Sequence, residues 1–206
     1  IRFTPCRQKR FKNGGWSQGQ SQSPYRVVSD RGPWISEADR AVAEILSGNG
    51  AYAGGYASNP RGSAGPFRAL ERLAGHPLVF WEGDTRAPVA VSLGQARLRI
   101  ERLPSGEIEL LPEAGGLTGG RGALCHLFSQ GLILVPEDRQ RLVVARVSPL
   151  GVDLLQGLLR DGLRFPPEAA ESLLDRVSLL ERVLPLALPP EWAGEEVPAD
   201  TRHHLM

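Results

Sequence analysis

Apolar residues recur at helical spacing in four stretches of the chain. The first stretch, 36–48, opens with Ser36, whose hydroxyl can accept a hydrogen bond from a free amide of the first helical turn. A second stretch covers 66–74, and two leucine-rich stretches, 148–162 and 166–183, lie towards the end of the chain. The pattern therefore predicts two N-terminal helices and a C-terminal antiparallel helix pair.

Between these helices, apolar and polar residues alternate with the period of two that is typical of strands. In 96–103 the apolar residues Ala96, Leu98 and Ile100 alternate with charged ones, which predicts a strand with one buried and one charged face. Further apolar runs predict strands over 78–81, 87–93, 108–110, 124–128, 132–135 and 142–147. We expect these strands to form a mostly antiparallel β meander, with a glycine-rich loop over 114–122.

Together these elements predict an α+β fold with two N-terminal helices, a mostly antiparallel β meander and a C-terminal antiparallel helix pair. We divide the chain into a basic extended arm and loop at 1–34, an α+β domain with an antiparallel sheet at 35–147, and a helical pair with a linker at 148–206. Within the arm, a short strand is expected over 25–28. Because the chain does not begin with Met, we expect it to be a piece of a longer protein.

The composition is that of an ordinary globular protein. Hydrophobic residues make up 41% of the chain and charged residues 23%, which argues against disorder. The longest apolar runs, such as 132–135, are too short to span a bilayer, so no membrane partner is expected. Cys6 and Cys125 are too few for a disulfide framework and no secretory signal is visible, which favours a cytoplasmic location.

Few residue patterns indicate catalysis or a bound cofactor. Cys125 and His126 are adjacent, but no second spaced pair of Cys or His residues completes a metal site. His76 lies at a predicted helix end, and we interpret it as a helix-terminal residue rather than a catalytic base. The glycines of 115–122 lack the lysine of a phosphate-binding loop. We therefore expect no catalytic residues, no metal and no cofactor in this chain.

The distribution of charge near the N-terminus is the strongest indication of a binding partner. Six basic residues and no acidic residue occur among the first 29 residues. Arg7, Lys9, Arg10 and Lys12 can neutralise phosphates, and Trp16 can stack on a base. We therefore predict these five residues as nucleic-acid-binding residues, with DNA as the partner. The alternative is a solvated basic arm that binds nothing.

A series of short motifs runs along nearly the whole chain. They are a basic start that leads to paired glycines at 7–15, an Ile-x-x-x-Asp-Arg helix opening at 35–40, a glycine–tyrosine patch at 54–56, a helix end and a strand ending in tryptophan at 73–81, Leu-Pro-Pro-Glu-Trp at 188–192 and an Asp-x-Arg step at 200–202. Their order resembles the region that precedes the motor in bacterial Swi/Snf-type ATPases of the DEAD/DEAH-box helicase superfamily.

The resemblance implies a parent protein that hydrolyses ATP and tracks or remodels DNA. The motor's Walker loop, its DEAD/DEAH-like acidic box and its arginine finger have no counterpart in this sequence, so no catalytic residue is carried over. We then expect a non-catalytic accessory segment that assists nucleic-acid engagement or regulates the motor, with the ATPase motor of the same polypeptide as its partner. The alternative function is a free-standing protein-interaction domain with no nucleic-acid role.

Overall fold

The computed structural model describes residues 4–189 apart from positions 15, 16, 18, 49–63, 83, 85, 86, 162 and 163, and it also describes Trp192. The helices in these ranges are α1 (Pro24–Ser29), α2 (Glu37–Gly48), α3 (Ala64–Arg72), α4 (Pro149–Asp161), α5 (Ala169–Leu174) and α6 (Val177–Glu181). The strands are β1 (Cys6–Arg7), β2 (Gln20–Ser21), β3 (Ala90–Leu93), β4 (Ala96–Arg102), β5 (Ile108–Ala114), β6 (Leu117–Thr118), β7 (Ala123–Phe128), β8 (Gly131–Pro136), β9 (Arg141–Arg146), β10 (Arg164–Phe165) and β11 (Leu186–Ala187). None of the helices in the described ranges is both long and apolar enough to cross a membrane.

The strands form a small hairpin and two larger sheets. β1 and β2 pair antiparallel with each other. The five-stranded sheet has the order β10-β5-β4-β11, with β6 paired to the end of β5; β11 and β4 are parallel and the other pairs are antiparallel. The four-stranded sheet has the order β3-β9-β8-β7, in which β3 and β9 are parallel and the other pairs are antiparallel.

The two larger sheets share the main apolar core. β4 contributes Leu98 and Ile100 to this core, β8 contributes Leu132 and Leu134, and α4 adds Leu155; each of these side chains is at most 1% exposed. Alternate residues of a strand point to opposite faces, so the second face of each sheet is directed away from this core.

The second face of the four-stranded sheet is covered by α3. Phe67 and Leu70 of α3 pack with Ile133 of β8 and Val144 of β9 in a separate apolar cluster. α2 packs in turn against α3. The fold therefore consists of a helical layer, a middle four-stranded sheet and a five-stranded sheet, whose outer face carries charged residues.

Several predicted elements are confirmed. The chain combines helices and sheets in an α+β fold, and α2 and α3 lie where the stretches 36–48 and 66–74 predict helices. Ser36 caps α2, because its hydroxyl accepts from the N–H of Asp39 at 3.1 Å while the carboxylate of Asp39 accepts from the N–H of Ser36 at 3.0 Å. β4 shows the predicted alternation of buried and exposed residues.

The expectation of two N-terminal helices is wrong, because a third helix, α1, occupies the predicted strand at 25–28. The hydroxyl of Ser23 accepts from the N–H of Arg26 at 3.2 Å and so caps this helix. Pro24 lies in the first turn, where a missing N–H costs no helical hydrogen bond. Val27 is buried, so one side of the helix faces apolar neighbours. Ser23 and Pro24 favour the start of a helix, and this preference is stronger than the strand preference of the two β-branched residues Val27 and Val28.

The expected C-terminal antiparallel helix pair is also wrong. The stretch 166–183 forms two short helices, α5 and α6, separated by a turn at Asp175 and Arg176. β10 and β11 flank these helices and pair with β5 and β4, so this part of the chain connects two strands of the five-stranded sheet. The leucine pattern does not reveal such pairings, because they join residues far apart in sequence, such as Arg164 and Glu109.

In the described part of the chain the strands form a two-stranded hairpin and two larger sheets, and not the single meander that the sequence predicts. β7, β8 and β9 do follow one another as a meander, but β3, β10 and β11 join strands that are not their neighbours in sequence. An alternating pattern defines a strand and its buried face but does not identify its partner, which explains the difference. The domain division at 34/35 and 147/148 stays a prediction; β10 and β11, from the last segment, pair with strands of the middle one.

Candidate nucleic-acid interface

The basic N-terminal residues lie on a short hairpin. β1 and β2 pair antiparallel, with Arg7 opposite Gln20. The chain reverses between them at a turn in which the N–H of Gly14 donates to the carbonyl of Phe11 at 3.0 Å, and Gly14 has a φ of 86° that suits glycine. Polar residues make this ladder through their backbones, so no apolar pattern marks it in the sequence. We call the described residues of 6–21 the basic hairpin.

The structure exposes the four predicted basic residues: Arg7, Lys9, Arg10 and Lys12. The guanidinium of Arg7 lies 5.1 Å from the ring centroid of Trp34, which is a cation–π contact. The N–H of Lys9 donates to the hydroxyl of Ser17 at 2.9 Å, and the N–H of Ser17 donates to the carbonyl of Lys9 at 2.9 Å. These bonds hold the base of the turn. Trp16, the fifth predicted residue, lies outside the described residues.

An exposed aromatic ring lies in the same turn. Phe11, between Arg10 and Lys12 in sequence, is 52% exposed. Single exposed apolar side chains are common at protein surfaces, so the relevance of Phe11 lies in its position between two cations. Cations that contact phosphates and aromatic rings that stack on bases are the two components of a surface for single-stranded nucleic acid. Phe11 therefore joins the candidate residues.

A second charged cluster lies on the outer face of the five-stranded sheet. We call it the arginine–glutamate network; it consists of Arg97, Arg99, Glu101, Glu109, Glu113, Arg121 and Arg164. Each of its three carboxylates contacts two guanidinium groups. The network spans β4, β5 and β10 and reaches the loop that follows β6.

Glu113 of β5 contacts two arginines of the neighbouring strand β4. Its Oε1 lies 2.8 Å from Nε of Arg97, and its Oε2 lies 3.1 Å from Nη1 of Arg99. Arg99 extends the cluster, since its Nε lies 2.6 Å from Oε1 of Glu101. Arg97 and Glu113 are also directly opposite in the β4–β5 ladder, where opposite charges stabilise strand pairing.

On the other side of the network, two carboxylates oppose each other. Glu101 and Glu109 are directly opposite in the β4–β5 ladder, and like charges in that position repel. Arg121 contacts both of them, and Nε of Arg164 lies 3.0 Å from Oε1 of Glu109. Burial raises the pKa of Glu109, but the hydrogen bonds from Arg164 and Arg121 outweigh burial and hold that pKa below its usual value. Glu109 is therefore ionised at neutral pH.

The carboxylates of β5 lie beneath the guanidinium groups. The side chains of Glu109 and Glu113 are 8% and 7% exposed, whereas the four arginines are 43% to 63% exposed. Leu111, between the two glutamates on the same face, is 1% exposed and lies opposite Arg99, whose aliphatic stem can cover it. A molecule that approaches this face above Glu109 or Glu113 therefore meets cations first, while Glu101 is 24% exposed.

Sequence reasoning predicted the charged face of β4 but missed the network. Glu109 and Glu113 occur at the alternate positions of β5, which was an available signal for partner charges on that strand. Arg121 belongs to the predicted glycine-rich loop 114–122, which contains β6 and is tied to the sheet by this side chain. Arg164 lies 55 residues from Glu109 in sequence, so no local pattern joins the two.

Three further titratable groups, His76, Asp39 and Cys125, lie outside both charged surfaces. Nε2 of His76 lies 3.5 Å from the carboxylate of Asp39, and Nδ1 of His76 accepts from the N–H of Leu78 at 3.2 Å. The hydrogen bond with His76 lowers the pKa of Asp39 to about 2, against the effect of burial and with smaller contributions from Ser36. Burial raises the pKa of the Cys125 thiol to about 11, so it stays protonated at neutral pH. No group of three or more His, Cys, Asp or Glu side chains is placed to hold a metal ion in the described part of the chain.

Comparisons of the chain with protein-family models, with curated proteins and with solved structures found no match. The molecule has two charged surfaces that could bind a partner, the basic hairpin and the arginine–glutamate network. The first presents its cations on a turn, and the second holds its cations over buried carboxylates.

Proposed function

We propose that this chain is a non-catalytic accessory segment of a DNA-dependent, helicase-like ATPase, and that its basic hairpin contacts the phosphates of nucleic acid. The observation that carries the proposal is the exposure of Lys9, Arg10, Phe11 and Lys12 around one turn. The resemblance of the sequence motifs to the region before the motor of bacterial Swi/Snf-type ATPases supports the wider context.

The chemistry of the hairpin suits a phosphate backbone. Lys9, Arg10 and Lys12 fall within four positions, and none of the first 29 residues is acidic. A phosphate that approaches the turn therefore meets several cations and no carboxylate of the same segment. Counterion release from the nucleic acid then supplies affinity that depends on salt and not on base sequence. Phe11 adds a ring on which an unpaired base can stack.

In this proposal the segment contacts the nucleic acid, and another part of the parent protein hydrolyses ATP. ATP hydrolysis belongs to the motor of the same polypeptide, in the cytoplasm, and the segment contributes no catalytic residue or cofactor. A weak contact within the same polypeptide raises the effective concentration of DNA near the motor. The segment thereby assists nucleic-acid engagement or regulates the motor.

The proposal is tested by binding of the chain to a labelled single-stranded oligonucleotide at several salt concentrations. The variant Lys9→Ala, Arg10→Ala, Lys12→Ala removes three of the proposed phosphate contacts. We expect the slope of log affinity against log salt to fall by up to about two units, at roughly 0.7 per contact on single strands. Phe11→Ala is expected to weaken binding to single strands more than to duplex, because stacking needs an exposed base.

A matched control removes the same charge elsewhere. Arg141, Arg176 and Arg182 are exposed and lie outside both charged surfaces. Their replacement by Ala should leave the salt slope nearly unchanged. An equal loss in both triple variants, or binding by the hairpin variant that matches the parent at every salt concentration, would contradict the proposed contact.

The alternative is a free-standing protein-interaction domain with no nucleic-acid role. One observation favours it: four leucines of the C-terminal helices are exposed to solvent. They are Leu150 (68%) and Leu159 (40%) of α4, Leu174 (42%) of α5 and Leu179 (58%) of α6. Exposed apolar side chains of this kind mark protein contacts when they are contiguous. Absence of oligonucleotide binding by the parent chain at low salt would favour this second function.

A further inference from the structure

We propose that the outer face of the five-stranded sheet is a second phosphate-binding surface, on which the arginine–glutamate network holds the backbone of a nucleic-acid strand. This inference rests on the proposed nucleic-acid role of the chain and extends it to a surface that the sequence motifs do not indicate. Three features of the network support it. They are the burial of Glu109 and Glu113, the N–H donors of Arg97 and Arg164 that their glutamates do not use, and the length of the row of arginines.

The first feature is the difference in solvent exposure between the glutamates and the arginines of the network. Glu109 and Glu113 are almost fully buried, while the arginines above them are about half exposed. The network has four arginines and three glutamates, so the face also keeps a net positive charge. An anion can therefore contact Arg97 and Arg164 without close approach to Glu113 and Glu109, whereas the side chain of Glu101 is 24% exposed. An acidic ligand complements this face, and a cationic one does not.

The second feature is the set of guanidinium N–H donors that do not contact a glutamate of the network. Arg97 reaches Glu113, and Arg164 reaches Glu109, through Nε. A guanidinium has five N–H donors, and among the described residues each of these two arginines uses one of them on its carboxylate, which leaves about four for a ligand. Each is already positioned by its carboxylate, which reduces the conformational entropy that is lost when a ligand binds. The planar fork of the terminal nitrogens matches two phosphate oxygens.

The third feature is the length of the arginine row. Arg97 lies opposite Glu113 on one side of β5, and Arg164 lies opposite Glu109 on the other side. These positions are four residues apart along the strand and two strands apart across the sheet, which corresponds to roughly 17 Å. A single phosphate cannot reach both ends of such a row, whereas a chain of phosphates can. The geometry therefore favours a polyanion over a mononucleotide or a free phosphate.

The test uses the whole chain with Arg97→Gln and Arg164→Gln combined. In this variant Glu113 keeps Arg99, Glu109 keeps Arg121 and Glu101 keeps both of its arginines, so the fold is expected to persist. The matched control combines Arg102→Gln and Arg141→Gln, which removes the same charge from exposed arginines outside the network. Melting temperatures of both variants check the fold.

The measured quantity is the affinity for a labelled single-stranded oligonucleotide of about a dozen nucleotides at low salt. We expect the R97Q and R164Q variant to bind about tenfold more weakly than the control or worse, since hydrogen bonds to charged groups are lost at two positions. Inorganic phosphate should compete only poorly with the oligonucleotide. Equal affinity of the two variants would overturn the inference, and so would displacement by polyglutamate as effective as displacement by an oligonucleotide of equal charge.

The same assay separates this inference from the proposed role of the hairpin. If the hairpin variant loses affinity while R97Q and R164Q together do not, only the sheet surface is refuted. If the sheet variant loses affinity while the hairpin variant does not, the sheet surface is supported and the hairpin contact fails. No binding by the parent chain refutes both. Should R97Q and R164Q together lower the melting temperature, R97K and R164K keep the charge and remove the planar fork, and they must still reduce the affinity.

Discussion

The two faces of the five-stranded sheet bury different kinds of side chain, apolar ones on the inner face and ionised ones on the outer face. On the inner face, Ile100 of β4 and Leu110 of β5 are directly opposite each other, and both are at most 2% exposed. One residue further along each strand, Glu101 and Glu109 oppose each other on the outer face. The inner pair is stabilised by non-directional apolar contact. The repulsion within the outer pair is offset by Arg121, which contacts both carboxylates, and by one further arginine at each of them.

This difference has a consequence for how each face responds to change. An apolar core tolerates substitutions that preserve volume, since any neighbour of suitable shape contributes. A buried ion network depends on specific partners, because a carboxylate without its guanidinium is a buried charge without compensation. The inner face should therefore be sensitive to polarity and volume, and the outer face to the loss of single partners, to acid and to salt.

The largest effect is expected from a charge in the core. Leu155 of α4 is completely buried in the core that the two sheets share. Leu155→Asp should lower the free energy of unfolding by several kcal/mol, roughly 3–5, because an unpaired carboxylate cannot be solvated there. Urea unfolding measures this loss. Leu155→Met, which nearly preserves volume, is the control and should cost less than about 1.5 kcal/mol. An unchanged urea midpoint for Leu155→Asp would show that this face is not buried.

A smaller loss is expected when the central cation of the network is removed. Arg121→Ala leaves Glu101 and Glu109 opposed without the side chain that bridges them. Because the arginine is 43% exposed, we expect a loss of only about 1–2 kcal/mol in unfolding free energy. Arg164→Ala is the matched comparison: it leaves Glu109 with Arg121 and should cost less. Equal costs for the two variants would contradict the bridging role of Arg121.

The same two faces show what the sequence could reveal. The alternation of apolar and charged residues along β4 predicts both its buried inner face and its charged outer face. In the same way, Ser36 and Asp39 predict the start of α2. These features depend on residues that are near one another in the chain. Alternation and capping are local rules, so a single sequence is sufficient to apply them.

The remainder of the fold and the site depends on contacts between distant segments. Arg164 reaches Glu109 because β10 joins β5, and the stretch 166–183 forms two short helices before the chain returns to pair with β4. The hairpin pairs through the backbones of polar residues, which no apolar pattern records. By contrast, α1 had a readable signal in Ser23 and Pro24, and the two valines that follow concealed it.

Acid should weaken the outer face and leave the inner face unchanged. The pKa of Glu109 is lowered in the folded protein, since the hydrogen bonds from Arg164 and Arg121 outweigh the opposing effect of burial. A lowered pKa contributes stability above the unfolded value, and this contribution is lost as pH falls through the folded value. The parent chain should therefore lose more unfolding free energy on acidification than Glu109→Gln, and the two should converge at low pH. Parallel curves throughout would show that Glu109 does not stabilise the fold through its charge.

The smallest effect is expected at an ion pair outside the network. Arg146 of β9 contacts Glu71 of α3 through two bonds, one of them 3.0 Å between Nη2 and Oε2. The side chain of Arg146 is 78% exposed and that of Glu71 is 14% exposed. Water and salt screen such a pair, so little is gained when it forms. Double-mutant cycles with Gln at each position, measured by urea unfolding, should give a smaller coupling energy for this pair than for Arg97 and Glu113. At 1 M salt the coupling of the Arg146 and Glu71 pair should fall by the larger fraction, because the side chain of Arg146 is 78% exposed and that of Arg97 is 49% exposed. If both couplings disappear together, the network is no more than a set of surface ion pairs, and the contrast between the two faces reduces to a difference in composition.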